Sequence, residues 1–268
     1  MKRLGSIAAL LVVTAALAQD AKPWLTPGTQ AGQQIFGPDG GKMVWVPAGE
    51  FMMGAADGPA DEQPVHRVRI SRGFWLGRCE VTVSQWLHYC KVANVVLGTE
   101  VFTPLDHPMS GVSWLDVERY CRFYGMALLT EAQWEWAARG PEGRKYPWGN
   151  RWDPKLCNNK GNPYELPDVG LAFTAPVGHY PGGASWCGAL DMAGNLAEWV
   201  QDWYGKTYYA ESPSVDPTGP ATGTDRVLRG GSWSFFPRLC RSANRYRAVP
   251  EYRDASGGFR LVRSARTF

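Results

Sequence analysis

An α+β domain poor in long regular elements is what this chain predicts, and three observations carry the prediction. Strand-like apolar alternation occurs near the start and again near the end, three well-signalled helices lie between, and long irregular loops separate the two halves. Composition agrees, because 13 Trp, 31 Gly and 20 Pro among 268 residues describe a turn-rich, aromatic-packed globule rather than a helical bundle.

Taken in order, residues 1–18 place Lys2 and Arg3 before an apolar run from Ile7 that ends in Ala16-Leu17-Ala18. That is the charged–apolar–small pattern of a cleaved secretory signal, and the run is too short and alanine-rich for a membrane span. No cysteine follows the expected cleavage point, which argues against a lipid anchor. The mature chain is therefore expected to be exported, periplasmic or extracellular, with no transmembrane anchor. Residues 19–41, rich in Pro, Gly and Gln, read as a tether, and residues 42–268 as one folded domain.

Within the domain, "MVWVPAGEFMMG" is apolar and alternating up to a Gly turn, and "VHRVRISRGFWLGRCEVT" reads as two strand-like pieces. A Thr82-x-x-Gln85 capping box opens a first helix with Trp86, Leu87 and Cys90 on one face. Ser113 opens a second, with Trp114, Val117, Cys121 and Tyr124 as its stripe. The Thr-x-x-Gln box recurs at Thr130 and opens a third helix, which stops at Gly140. After "YPWGN" only short strands are expected, such as "DRVLRGGSW" and "GGFRLVRS".

Charge is unevenly spread. Between Arg226 and Phe268 there are ten arginines, no lysine and two acids, in a chain whose net charge is only +3. These arginines alternate with Ser, Ala and Gly instead of forming basic runs, so they read as forks for internal carboxylates and aromatic faces, and no nucleic-acid partner is expected. Six cysteines permit up to three disulfides, and none lies in a Cys-x-x-Cys arrangement that would hold zinc.

Nine segments in order carry a further reading: "MVWVPAGEFMMG", "CEVTVSQW", "GVSWLDVERYCRFYG", "LLTEAQWEWAARG", "YPWGN", "TAPVGHYPGG", "DMAGNLAEWVQDWY", "RVLRGGSW" and "GGFRLVRS". Together they resemble the formylglycine-generating enzyme (sulfatase-modifying factor) family from about Met43 to Arg263. The resemblance implies a C-type-lectin-like fold. It also implies, in founding members, oxidation of a sulfatase cysteine to formylglycine by molecular oxygen, with copper held by two cysteines. Those cysteines occupy the second and seventh positions after the Trp of "RGGSW". Here the second is Phe235 and the seventh is Cys240, but "RSANR" begins directly after Cys240, so the loop is shorter than the enzymes' and Cys240 aligns with a non-catalytic position. One thiolate beside Phe235 makes a poor copper(I) site, so copper is not expected. If the protein is an enzyme, Cys240 is the catalytic candidate, with neighbouring arginines available to lower its pKa.

Two calcium sites are also implied by the resemblance, built from carboxylates and carbonyls as a hard cation requires. The first takes side chains from Asp191 and Glu198 and carbonyls from Gly194 and Leu196. The second takes side chains from Asn158 and Asp168 and carbonyls from Asn159 and Gly170. Between the framework pieces, Phe235, Phe236, Leu239, Tyr246, Arg247 and Tyr252 supply the aromatic, apolar and arginine side chains that interfaces enrich, with Trp233, Ala243 and Phe259 as buried anchors. The expected function is thus a calcium-stiffened module that binds a protein or small-molecule ligand through its C-terminal loops. The rivals are an oxidase of the formylglycine-generating type or of a small metabolite, and a structural part of an envelope assembly or variable protein of a diversity-generating retroelement.

Overall fold

The structure is a computed structural model and describes residues 22–96, 103–165 and 172–264. The sequence-predicted leader, residues 1–18, lies outside them. Strand β1 (Gln34–Phe36) pairs antiparallel with β2 (Lys42–Val46), which is followed by β3 (Gly49–Met53), β4 (His66–Ile70) and β5 (Phe74–Gly77). The segment expected as a tether is therefore partly built into the domain. Trp75 Nε1 donates to the Thr26 carbonyl at 2.7 Å, which pins the chain before β1 across the sheet.

Helices α1 (Val83–Val92), α2 (Trp114–Phe123) and α3 (Glu131–Arg139) each begin at the expected cap. Thr82, Ser113 and Thr130 all form reciprocal capping boxes, the second with Asp116, which satisfies donors that the first turn leaves without intrahelical partners. On α2 the buried stripe is Trp114, Val117, Tyr120 and Cys121, with Tyr120 taking the place assigned to Tyr124.

The later strands are β6 (Tyr164–Glu165), β7 (Ala172–Phe173), β8 (Ala197–Trp203), β9 (Arg226–Arg229), β10 (Arg245–Ala248), β11 (Gly257–Gly258) and β12 (Val262–Ser264). One four-stranded sheet has the order β1-β2-β5-β12, joining the beginning and end of the domain, and the other has the order β10-β9-β8-β11. Trp75 and Trp199 are fully buried in one core cluster and Trp134 in a second, each burial worth about 2–3 kcal/mol of transfer free energy. All six cysteines are unpaired thiols. Among the described residues, no helix is long and apolar enough to cross a membrane.

Candidate functional site

Arginines from the C-terminal third hold the domain together, as their spacing predicted. Arg260 is fully buried, and its Nε and Nη2 donate to the two oxygens of Glu198 at 2.7 and 2.5 Å. Its remaining donors reach the carbonyls of Gly77 (3.0 Å), Arg78 (3.1 Å) and Leu190 (2.8 Å), so one side chain ties β5, β8 and the 190s loop. Arg229 is clamped between Glu135 and the carbonyls of Ser242, Ala243 and Asn244, while Arg245 forms a bidentate pair with Glu131 at 2.7 and 2.9 Å. Although burial favours the neutral acid, the guanidinium groups of Arg229 and Arg139 hold the Glu135 carboxyl below the usual range. Arg226 lies between the rings of Trp114 and Trp203, 3.8 and 3.5 Å from their centroids.

These pairings bear directly on the first calcium site. Both Glu198 oxygens are engaged by Arg260, and Oε2 also accepts from Trp134 Nε1 at 2.8 Å. Asp191 accepts the Gly178 N–H at 2.6 Å. Burial, compounded by the charges of Asp191 and Glu198, drives Glu80 well above the usual carboxylate range, and burial raises Asp191 as well. Three carboxyl groups thus face one guanidinium, and of the two side chains assigned to calcium Glu198 already has both oxygens engaged by protein donors. In this arrangement Glu198 is committed to Arg260 and is not free for calcium. No group of three His, Cys, Asp or Glu placed to hold a metal occurs among the described residues.

At the second site, the Asn158 side-chain oxygen accepts from Tyr164 N at 2.8 Å and its amide donates to the Phe173 carbonyl at 2.7 Å. Asn159 caps its own turn, its side-chain oxygen accepting from Gly161 N at 2.8 Å. Asp168 and Gly170 lie outside the described residues. Sequence reasoning passed over Glu80 and Arg260, although both stand in quoted motifs. An arginine between Phe259 and Leu261 in an otherwise apolar stretch is itself a signal, because a buried guanidinium requires an acid.

Cys240 sits at the end of a short turn, Pro237–Leu239, with no exposed surface, against Cys157 and Ala193 and beneath Trp148, Trp152 and Phe235. Gly231 makes this closure feasible: its φ is +71°, and a Cβ there would stand 2.9 Å from the Cys240 sulfur and 2.7 Å from the Leu239 carbonyl oxygen. Burial pushes the Cys240 thiol up, and the neighbouring Cys157 adds to the shift. The arginines invoked to activate it point elsewhere, Arg241 to Glu62 and Arg238 over the Phe236 ring. A sealed thiol with Phe235 in the first copper position does not fit a thiolate copper site.

The remaining site residues gather on the β9–β10 hairpin and the loops flanking it. Phe236 is 46% exposed, Tyr246 42% and Tyr252 41%. Phe235 is half-buried and meets Tyr246 edge-on at 5.4 Å. Lys160 Nζ stands 4.5 Å from the Phe236 ring centre. Arg247 is exposed, 4.5 Å over Tyr204 and 3.4 Å from Asp225, while Leu239 is half-buried. Beneath this face, Ala243 and Phe259 are buried as anchors. Trp233 departs from that expectation: it is half-buried, and its Nε1 donates to the Ala255 carbonyl at 3.1 Å at the edge of the layer.

Comparison with known proteins fits this architecture. The formylglycine-generating enzyme of Streptomyces coelicolor is 35% identical over 286 residues, spanning 83% of this chain and 89% of that protein. Among solved structures, PvdO from Pseudomonas aeruginosa superposes with a TM-score of 0.77 at 29% identity, covering 88% of this chain and all of PvdO. Treponema denticola variable protein 1, at 24% identity and a TM-score of 0.68 over 82% of this chain and 94% of its own, shares the fold. The fold is the C-type-lectin-like one, with short strands and, among the described residues, three α-helices. Residues 33–265, from the start of β1, match the family model described as the sulfatase-modifying factor enzyme 1-like domain, and the chain belongs to that family.

Proposed function

We propose that this protein is an exported member of its family that binds a protein partner on the surface carrying Phe235, Phe236, Tyr246 and Tyr252, with Arg247 turned to the opposite side of its strand over Tyr204, and that it does not convert cysteine to formylglycine. The observation that carries the reading is the set of three aromatic side chains held out on a hairpin whose underside is fixed by the Arg229 and Arg245 ion pairs. Large exposed apolar rings gathered on one face are what soluble proteins keep for partners. A preformed backbone lowers the ordering cost of binding. Export rests on Lys2, Arg3 and the apolar run that follows. Replacing Phe236, Tyr246 and Tyr252 together by Ser is expected to change unfolding free energy by about 1 kcal/mol or less. Adding Phe235→Ser should cost more, because Phe235 covers the Cys157–Cys240 cluster. Quantitative affinity capture with the triple variant and wild type should then show the wild-type partner lost while the melting curve stays in place. Retention of that partner by the triple variant would move binding off this face.

A second reading, an oxidase of the family's type, draws on the 35% identity to a formylglycine-generating enzyme. One assay separates the two. Incubated with copper, oxygen and a sulfatase-type cysteine peptide, the purified protein is expected to leave the peptide mass unchanged. Catalytic loss of the thiol with formation of the aldehyde would establish the oxidase reading despite Phe235.

A further inference from the structure

A second site lies away from the C-terminal face, in a cleft of about 390 Å³ between the β1–β2 turn and the link from β5 to α1. We propose that this cleft binds a small organic anion through a carboxylate group, with Arg78 as its principal anchor and Lys42 as a second cation.

Arg78 follows β5, and its backbone is held from three directions. Its N–H donates to the Lys42 carbonyl at 2.8 Å, and its own carbonyl accepts from Leu190 N at 2.7 Å and from Arg260 Nη1 at 3.1 Å. The side chain starting from this fixed point makes no hydrogen bond or ion pair among the described residues. Its Nε is sealed from solvent without an acceptor. Neither Arg78 nor Lys42 joins any ion pair among the described residues. Arg229, Arg241, Arg245 and Arg260 all meet carboxylates, whereas Arg78 lines the cleft without one among the described residues. A buried donor without an acceptor is costly, and such groups in native proteins mark a missing water, ion or ligand.

The two acids that line the cleft do not answer the charge. Asp39 is turned toward its own surroundings, accepting from Gly41 N (3.1 Å), Gln85 Nε2 (2.9 Å) and the Tyr120 hydroxyl (3.1 Å). Glu80 is buried, and its oxygens accept from Asn195 Nδ2 (3.4 Å) and Leu196 N (3.3 Å). The cleft therefore has a cationic mouth over a floor whose acceptors are satisfied, with Met43, Val81 and Leu261 supplying apolar wall. A guanidinium fork suits a carboxylate, which it can bind through two parallel hydrogen bonds. A concave site with an apolar wall and few converging polar groups suits a small molecule rather than a polymer.

Sodium succinate and sodium citrate, each titrated by calorimetry against sodium chloride of matched ionic strength, test the proposal. Saturable binding of at least one of them to wild type is expected, weakened tenfold or more by Arg78→Ala and partly restored by Arg78→Lys. Cys79 gives a readout within the cleft, being the one cysteine of the six that is not buried. Burial pushes its thiol up to about 12, so labelling by a small neutral methanethiosulfonate is slow at pH 8 and can be timed. The bound anion should slow it further in wild type and leave the rate unchanged in Arg78→Ala. Absence of saturable binding for both anions, or equal binding by wild type and Arg78→Ala, overturns the proposal. Should Arg78→Ala fail to fold, the wild-type labelling rate decides: no slowing by either anion overturns it. None of these readings depends on the aromatic face or its partner.

Discussion

Replacing Arg260 by Met is expected to lower the unfolding free energy by about 3–5 kcal/mol, the usual consequence of removing one member of a buried ion pair. The reason is what remains behind. Glu198 keeps its place beside Trp134 with neither oxygen matched by a cation, and the carbonyls of Gly77, Arg78 and Leu190 lose the donors that join three segments. Urea midpoints at pH 7 measure the loss, with the slope checked for constancy so that the change is one of stability alone. Lysine at the same position should recover little, since one ammonium cannot reach five acceptors on different elements. The double variant with Glu198→Met should be much less destabilised than the two single changes added together, because the uncompensated charge is gone. A loss below about 1 kcal/mol in the single variant would mean that Glu198 takes up a proton or water at little cost. It would also reopen Glu198 as a metal ligand, for calcium could recruit it only by displacing the guanidinium.

The same arginines show how far the amino-acid sequence could be read. Their alternation with small residues correctly pointed to carboxylate and aromatic partners, and the capping boxes at Thr82 and Thr130 placed two helix starts to the residue. Strand β8 was the chief omission. "AEWVQDW" is buried on both faces for most of its length, so it lacks the alternation by which a half-buried strand is recognised. Strand β10 escaped for a related reason, because the inward-facing residue that fixes its register is Arg245, a charge that reads as surface until its partner Glu131 is known. Among the site residues, sequence position brought Asp191 and Glu198 into one loop and its strand. Only the fold brought Glu80 and Arg260 to them, across 111 and 62 residues of chain. A ligand set inferred from local spacing omits whatever long-range contacts have already engaged its members.

The largest single-residue backbone effect is expected at Gly194. Its φ is +75°, inside a turn where Asp191 and Asn195 also have positive φ, at 57° and 60°. Such values are tolerated best by Gly and next by Asn and Asp. A Cβ at position 194 would lie 2.1 Å from the Asn158 carbonyl oxygen and 3.0 Å from the Asn158 carbonyl carbon, both backbone atoms. The contact cannot be relieved by rotating a side chain. It also cannot be relieved by moving Asn158, whose carbonyl oxygen accepts the Asn195 N–H at 2.8 Å and whose side chain holds Tyr164 and Phe173. Gly194→Ala is therefore expected to destabilise by about 2–5 kcal/mol, adding left-handed strain to overpacking. The damage should extend to the binding face, because the Gly194 N–H donates to the Gly230 carbonyl at 2.9 Å and Asn195 O accepts from Trp233 N at 2.9 Å. Urea unfolding gives the energy, and amide exchange of residues 230–236 locates the loosening. A variant as stable as wild type, with exchange unchanged in that stretch, would show that the two loops are free to separate and that the hairpin face is held by its arginine pairs alone.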